Sequence, residues 1–349
     1  MSDKSHPGVL IVGTFISNSI ANRSVCEDLA ARLAASRWAV VTTSSKLSRI
    51  PRLLDMVNTI WSKRSEYSVA QVDVYSGLAF VWAEIVCFIL RVIGRPYILT
   101  LHGGNLPRFA RRWPLRVRIL LRSAAAVTTP SPYLQNQMKS HCDSPLLLPN
   151  ALDLSAYRMR LRNQPGPRLV WLRAFHAMYN PTLAPRVVAQ LAEEFPDTYL
   201  IMIGPEKGDG SLESVQQLAQ KLGVPNRICF SGGVSKEEVS GLLDDGDIFL
   251  NTTNVDNTPV SVLEAMASGL CLVSTDVGGI PYLLKHEHDA LLVPPDGPEN
   301  MADAVRRILT EPGLAEHLSR NARMKAELFD WSVILPQWKN LFTEIAIGA

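Results

Sequence analysis

The sequence predicts an α/β protein built as two facing, doubly wound, Rossmann-like domains, and three observations carry that reading. Short apolar runs alternate with helical patterns from Val9 to Leu148 and again from Arg168 to Leu309, the order that builds parallel sheets with helices on both faces. A polar, proline-bearing stretch at 150–167 separates the two series and suits a linker. Charge divides at the same place: residues 1–150 hold 18 Lys/Arg against 8 Asp/Glu, and residues 151–349 hold 17 against 25, within a total of +2. Two halves of opposite sign imply two tasks. The 349 residues also fit two domains on the expectation of ~100–200 residues each.

The first series reads Val9-Leu-Ile-Val-Gly as a strand, a helix from Asn22 to Ser36, a strand after Trp38, a helix near 49–63, a strand within 68–75, a helix at 78–93, the strand Pro96 to Leu101, a basic helix near 114–123, and short strands at Ala126 and Leu146. The second reads strands at Arg168, Thr198, Ile228, Ile248, Leu272 and Leu291, with helices at 183–194, 211–222, 236–245, 260–268 and 298–309 between and after them. Helical patterns at 314–327 and 332–346 close the chain. The expected division is 1–150, 165–328 and a terminal segment 329–349.

Composition excludes several classes. Five scattered cysteines, odd in number and mostly in apolar runs, argue against a disulfide framework or metal cluster and favour a reducing, cytoplasmic setting. The opening Met1 to Pro7 is polar and does not read as a signal peptide. The greasiest segment, Leu78 to Ile93, contains Glu84 and Arg91, falls short of the ~20 residues of a span, and reads as a buried helix. Gly13-Thr-Phe-Ile-Ser-Asn18-Ser after the first strand lacks three spaced glycines, and no P-loop lysine motif occurs, which lowers dehydrogenase and NTPase readings.

The most informative stretch is Asn254-Val-Asp-Asn-Thr-Pro-Val-Ser-Val-Leu-Glu264, followed by Gly278-Gly279. Ile248 to Leu250 reads as a buried strand end, Asn257-Thr258-Pro259 as a turn, and Val260 as the first residue of a helix with Thr258 as N-cap. Such a start points free N–H groups and a positive dipole end at an anion. Glu264, one turn in, can accept both hydroxyls of a ribose whose phosphates rest on Thr258, Pro259 and Val260. The pairing suggests a nucleoside diphosphate.

Asp256 and Glu264, eight apart, resemble the acidic E-x7-E signature of the retaining glycosyltransferases of family 4, with Asp in place of the first Glu. The resemblance implies the two-domain GT-B architecture over nearly the whole chain, with a final helix, Trp331 to Phe342, crossing back to the first domain. It implies Glu264 on the donor ribose and Asp256 near the transferred sugar. His102, in Leu99-Thr-Leu-His-Gly-Gly-Asn105, falls at a strand end beside two glycines that allow close backbone approach. The family's matching histidine lies beside the donor sugar. Gly13 to Ser19 resembles the family's acceptor loop, making Gly13, Asn18 and Asn105 acceptor candidates. Arg173 matches an Arg that neutralises the donor diphosphate in place of a metal. Tyr179 stands near where a Lys is usual, and His176, Tyr179 or Asn180 would then supply phosphate contacts. Gly204 and Ser231, at two further strand ends, offer backbone groups to a nucleobase, with uracil and guanine both open.

No acidic spacing suits a D-x-D metal site, and no cofactor is expected beyond the nucleotide sugar as cosubstrate. Arg108 to Arg122 mixes six arginines with Phe109 and Trp113 in a window without acids. That pattern fits an anionic membrane surface or a solvated helix face, and no nucleic-acid motif accompanies it. The reading that results is a metal-independent, retaining glycosyltransferase that uses a UDP- or GDP-sugar and a glycan or lipid-linked acceptor, cytoplasmic and peripheral on a membrane. Its rivals are an epimerase or hydrolase of the same fold and a non-catalytic sugar-nucleotide-binding partner.

Overall fold

The computed structural model describes residues 6–15 and 24–348. The chain divides into two compact units, residues 1–151 with 332–349, and residues 152–331.

The first unit has strands β1 (Val9–Val12), β2 (Val40–Thr43), β3 (Val69–Val74), β4 (Tyr97–Leu101), β5 (Ala126–Thr129) and β6 (Leu146–Leu147). All pair in parallel in the order β2-β1-β3-β4-β5-β6. Its helices are α1 (Val25–Ala35), α2 (Arg49–Ser62), α3 (Leu78–Val92), α4 (Leu106–Arg112), α5 (Pro114–Arg122) and α6 (Pro132–Met138). Side chains alternate across a strand. Leu10 and Val12 therefore join the core beneath α2 to α6, and Val9 and Ile11 are buried on the other face. Helix α1 starts where Ser24 and Glu27 form a reciprocal capping box, the Ser24 N–H donating to Glu27 Oε2 at 2.7 Å.

The second unit has β7 (Arg168–Leu172), β8 (Tyr199–Ile203), β9 (Ile228–Gly232), β10 (Ile248–Asn251), β11 (Cys271–Thr275) and β12 (Leu291–Val293), all parallel in the order β12-β11-β10-β7-β8-β9. Its helices are α7 (Leu183–Leu191), α8 (Ser211–Lys221), α9 (Lys236–Asp244), α10 (Val260–Ala267), α11 (Ile280–Leu283), α12 (Pro298–Thr310) and α13 (Leu314–Ala326). The doubly wound reading holds in each unit. Helix α14 (Trp331–Ile347) returns to the first unit, where Phe342 packs on Trp338 and Trp38 with ring centroids 5.4 and 6.3 Å apart.

Two expectations are corrected. Helices α4, α6 and α11 were not anticipated; each is seven residues or fewer, too short to establish a 3.6-residue period. The stretch read as a linker belongs to the second unit, because its arginines satisfy a buried acid. Asp247, 1% exposed, accepts from Arg160 Nη1 at 2.9 Å, from Arg168 Nε at 3.0 Å and from the Gly166 N–H at 3.0 Å. The fully buried Arg162 lies 3.7 Å from the same carboxylate, and burial pushes its guanidinium down to about 10. Removing Asp247 as Asp247→Ala leaves that cation only Asp244, 3.9 Å away, as a counter-charge and should cost about 3–5 kcal/mol. A urea titration should find the second unit's transition at markedly lower denaturant, with Asp247→Asn intermediate.

Candidate functional site

In the second sheet the carboxyl ends of β7, β8, β9 and β10 share one edge, and the strand order reverses between β7 and β10. Ligands of open α/β sheets bind at such a reversal. Arg173 follows β7 there. Its Nη2 donates to Asp256 Oδ2, and its guanidinium lies 4.5 Å from the Tyr179 ring centroid. Burial lowers the Arg173 pKa, opposed by nearby Tyr179 and Glu264. Its Nε is buried with no hydrogen-bond partner. Asp256 Oδ1 accepts the Asn257 N–H at 2.8 Å, so the counter-charge is itself fixed.

The backbone around this cluster is tied down. The Arg173 N–H donates to Ile203 O at 3.0 Å, and a side chain at Gly204, φ +145, would run into the Arg173 carbonyl. Thr252 Oγ1 donates to Tyr179 O at 2.7 Å and receives the Trp171 Nε1 proton at 2.8 Å. Gly278, φ +57, and Gly279 lie against the carbonyls of Asp256 and Asn257, where a Cβ would collide with backbone. These contacts are why glycine stands at those positions.

Helix α10 begins as expected, but its cap differs. Pro259, not Thr258, holds the N-cap position, with φ −69 and ψ 124 and no side-chain capping bond. A proline ring has no oxygen to accept a first-turn N–H, so the N-cap residue itself makes no side-chain cap. Ser261 Oγ, in that first turn, is buried without a hydrogen-bond partner. Glu264 is 8% exposed and its Oε1 accepts from Tyr157 Oη at 2.8 Å. Sequence reasoning missed Tyr157: it lies 107 residues away in the stretch read as a linker. Asn180, with φ +45, is engaged by Asp296 at 2.7 Å, and His176 Nδ1 accepts the Met178 N–H at 3.0 Å. Ser231 lies in edge strand β9, half-buried.

The first unit holds a second cluster, at the carboxyl ends of β1, β3 and β4. His102 is buried, its ring stacked on Tyr75 with centroids 5.0 Å apart, and its Nε2 lies 2.9 Å from Asp73 Oδ1. That oxygen also accepts from Gln71 Nε2 at 2.7 Å, and Gln71 Nε2 reaches Thr100 Oγ1 at 2.8 Å. Asp73 was not anticipated, although it is the single acid of the strand Val-Ala-Gln-Val-Asp-Val. A Cβ on Gly13 would come to 3.0 Å from Asp73 Oδ2 and closer to Cys26 Sγ, so a side chain after β1 would have to displace both. Gly13, Asp73, Met56 and Trp82 line a cavity of about 130 Å³. Asn105 is exposed at the start of α4 without a side-chain capping bond, and Asn18 lies outside the described residues.

Residues 160–325 match the family described as glycosyl transferases group 1. The second unit is a glycosyl transferases group 1 domain. The D-inositol 3-phosphate glycosyltransferase of Mycobacteroides abscessus is 30% identical to this chain over 161 residues, 46% of the chain and 36% of that protein. The chain thus spans little more than a third of that relative's length. Among solved structures, sucrose-phosphate synthase from Thermosynechococcus elongatus aligns with TM-score 0.81 at 17% identity, covering 98% of this chain and all of that one. Anabaena HepE in complex with UDP and glucose aligns with TM-score 0.75 at 16% identity, covering 96% and 99%. These likenesses place the glycosyl transferases group 1 domain within a GT-B fold that extends over both units. No helix among the described residues is long and apolar enough to cross a membrane, and no group of three or more His, Cys, Asp or Glu among them could hold a metal ion.

Proposed function

We propose that the chain is a retaining, metal-independent glycosyltransferase that moves a sugar from a UDP- or GDP-sugar to a glycan or lipid-linked acceptor. The observation that carries this reading is the cation-and-helix-start cluster of Arg173, Asp256, Ser261 and Glu264 at the strand-order reversal. Arg173 and Ser261 each keep a buried polar atom without a partner, and an anion arriving over the start of α10 would satisfy both. Asp256 neutralises Arg173 until then. The incoming diphosphate takes over that role, because its charge grows as the glycosidic bond breaks and Arg173 is fixed to meet it. Glu264, oriented by Tyr157, holds the ribose. UDP is the first donor base to test because HepE, of the same fold, is described with UDP and glucose bound.

In the reaction the anomeric carbon–phosphate oxygen bond breaks, the acceptor oxygen bonds to that carbon on the same face, and the acceptor proton passes to the departing phosphate. No protein nucleophile is required, so the chain's work is positioning and charge stabilisation. In the first unit, His102 held by Asp73 presents an oriented ring, and the cavity beside Gly13 belongs to the acceptor. Peripheral association through Arg108 to Arg122 is part of the same reading.

A thermal-shift screen with UDP, GDP and ADP should give stabilisation by one base, worth about 2.7 kcal/mol at 100 times its dissociation constant. Glu264→Gln should weaken that nucleotide by ~1.5–3 kcal/mol, the worth of hydrogen bonds to a charged group. Unchanged calorimetric affinity in the folded variant would remove Glu264 from the ribose. Arg173→Ala should lower kcat by ~100-fold or more, as loss of a fixed transition-state charge does, while donor affinity falls less. Equal affinity loss with intact turnover would assign Arg173 to ground-state binding alone.

A further inference from the structure

Helices α2, α3 and α5 cover the same face of the first sheet; α2 packs on α3, and Arg116 of α5 is ion-paired with Glu84 of α3. Each helix spends one apolar stripe on the core and leaves another bare. On α2, Met56 and Ile60 point inward while Ile50, Leu54 and Trp61 are 75%, 64% and 53% exposed. On α3, Ala83, Val86 and Leu90 are buried while Leu78, Phe88 and Val92 are 67%, 60% and 64% exposed. On α5, Val117 and Leu121 are buried while Leu115 and Ile119 are 70% and 67% exposed. Single exposed apolar side chains need no explanation, but this concentration on three neighbouring helices marks a binding face.

Arginines paired with exposed aromatics accompany it. Arg64 lies 5.3 Å from the Trp61 ring, Arg91 6.0 Å from Phe88, and Arg112 5.9 Å from Trp113. Aromatic rings at headgroup level and long cations reaching to phosphates are how a protein rests in a bilayer interface. The acids of these helices are few: Glu84 is taken by Arg116, leaving Asp55. We propose that this face inserts into the interface of an anionic bilayer, its apolar side chains among the acyl chains and its arginines on the lipid phosphates. This deepens the peripheral reading, which rested on the arginines and aromatics of Arg108 to Arg122, by assigning the contact to the outward stripes of α2, α3 and α5. Helix α3, expected to be buried, then has its second apolar side covered by lipid.

The experiment is flotation of the full chain with vesicles of equal parts phosphatidylglycerol and phosphatidylcholine, at low and at molar salt, with tryptophan quenching by acyl-chain-brominated lipid. Trp61→Phe isolates the contribution of Trp61. The expected result is binding that weakens with salt but persists, and quenching of Trp61. The variant Ile50→Ser/Leu54→Ser/Phe88→Ser/Ile119→Ser should partition ~100-fold less, since each buried side chain it removes contributes strongly. Its affinity for UDP should equal that of the unaltered chain. Binding abolished by salt and indifferent to the four serines would overturn apolar insertion and leave only the basic segment Arg108 to Arg122. Self-association that the four serines abolish, without vesicle binding, would make the face a contact between copies instead. Failure to bind any nucleotide would overturn the transferase reading while leaving the vesicle result standing.

Discussion

Parallel pairing is the constraint on which the rest depends. A parallel sheet brings the carboxyl ends of its strands to one edge, and each crossover helix must pack on a face to close the connection. Loops from sequence-distant strands are thereby gathered side by side without needing attraction between them. Gly13, Asp73 and His102 meet in the first unit, and Arg173, Gly204 and Asp256 in the second, because β1, β3 and β4, and β7, β8 and β10, end at common edges. The reversal of strand order then opens a crevice where a ligand reaches backbone groups from both sides.

Within that frame, buried charge does two different kinds of work. Around Asp247 the charges are matched by arginines from one side and backbone from another, and the outcome is structural: the chain from Arg160 to Arg168 is fastened to the end of α9 and the start of β10. Arg173 is buried too, and like Arg162 it keeps its Nε without a hydrogen-bond partner, while Asp256 holds only the far end of its guanidinium. An incompletely satisfied buried cation is costly for folding. What separates the two clusters is place: Arg173 follows β7 at the strand-order reversal, where an anionic ligand can complete its set, whereas Arg162 lies fully buried among Asp244, Asp247 and backbone carbonyls.

The first unit carries a different imbalance. Arg91, Arg116, Arg118 and Arg122 lie on the same helices as its bare apolar stripes, α3 and α5. Water tolerates the arginines but not the apolar side chains, whereas an anionic lipid interface accommodates both.

The sequence by itself determined the alternation that makes two doubly wound units and the strand-turn-helix around Val260. These are local properties: period and breaker residues act within a few residues of chain. Only the tertiary structure decided which partners the functional side chains have. His102 finds Asp73 across 29 residues, Arg173 finds Asp256 across 83, and Glu264 finds Tyr157 across 107. No spacing rule encodes such pairs, since each is set by which strands become neighbours in the sheet. The same holds for α3. Its sequence is apolar on nearly every side and reads as buried, but a sheet covers a helix on one side only, and nothing short of packing could say that Leu78, Phe88 and Val92 face away from the core.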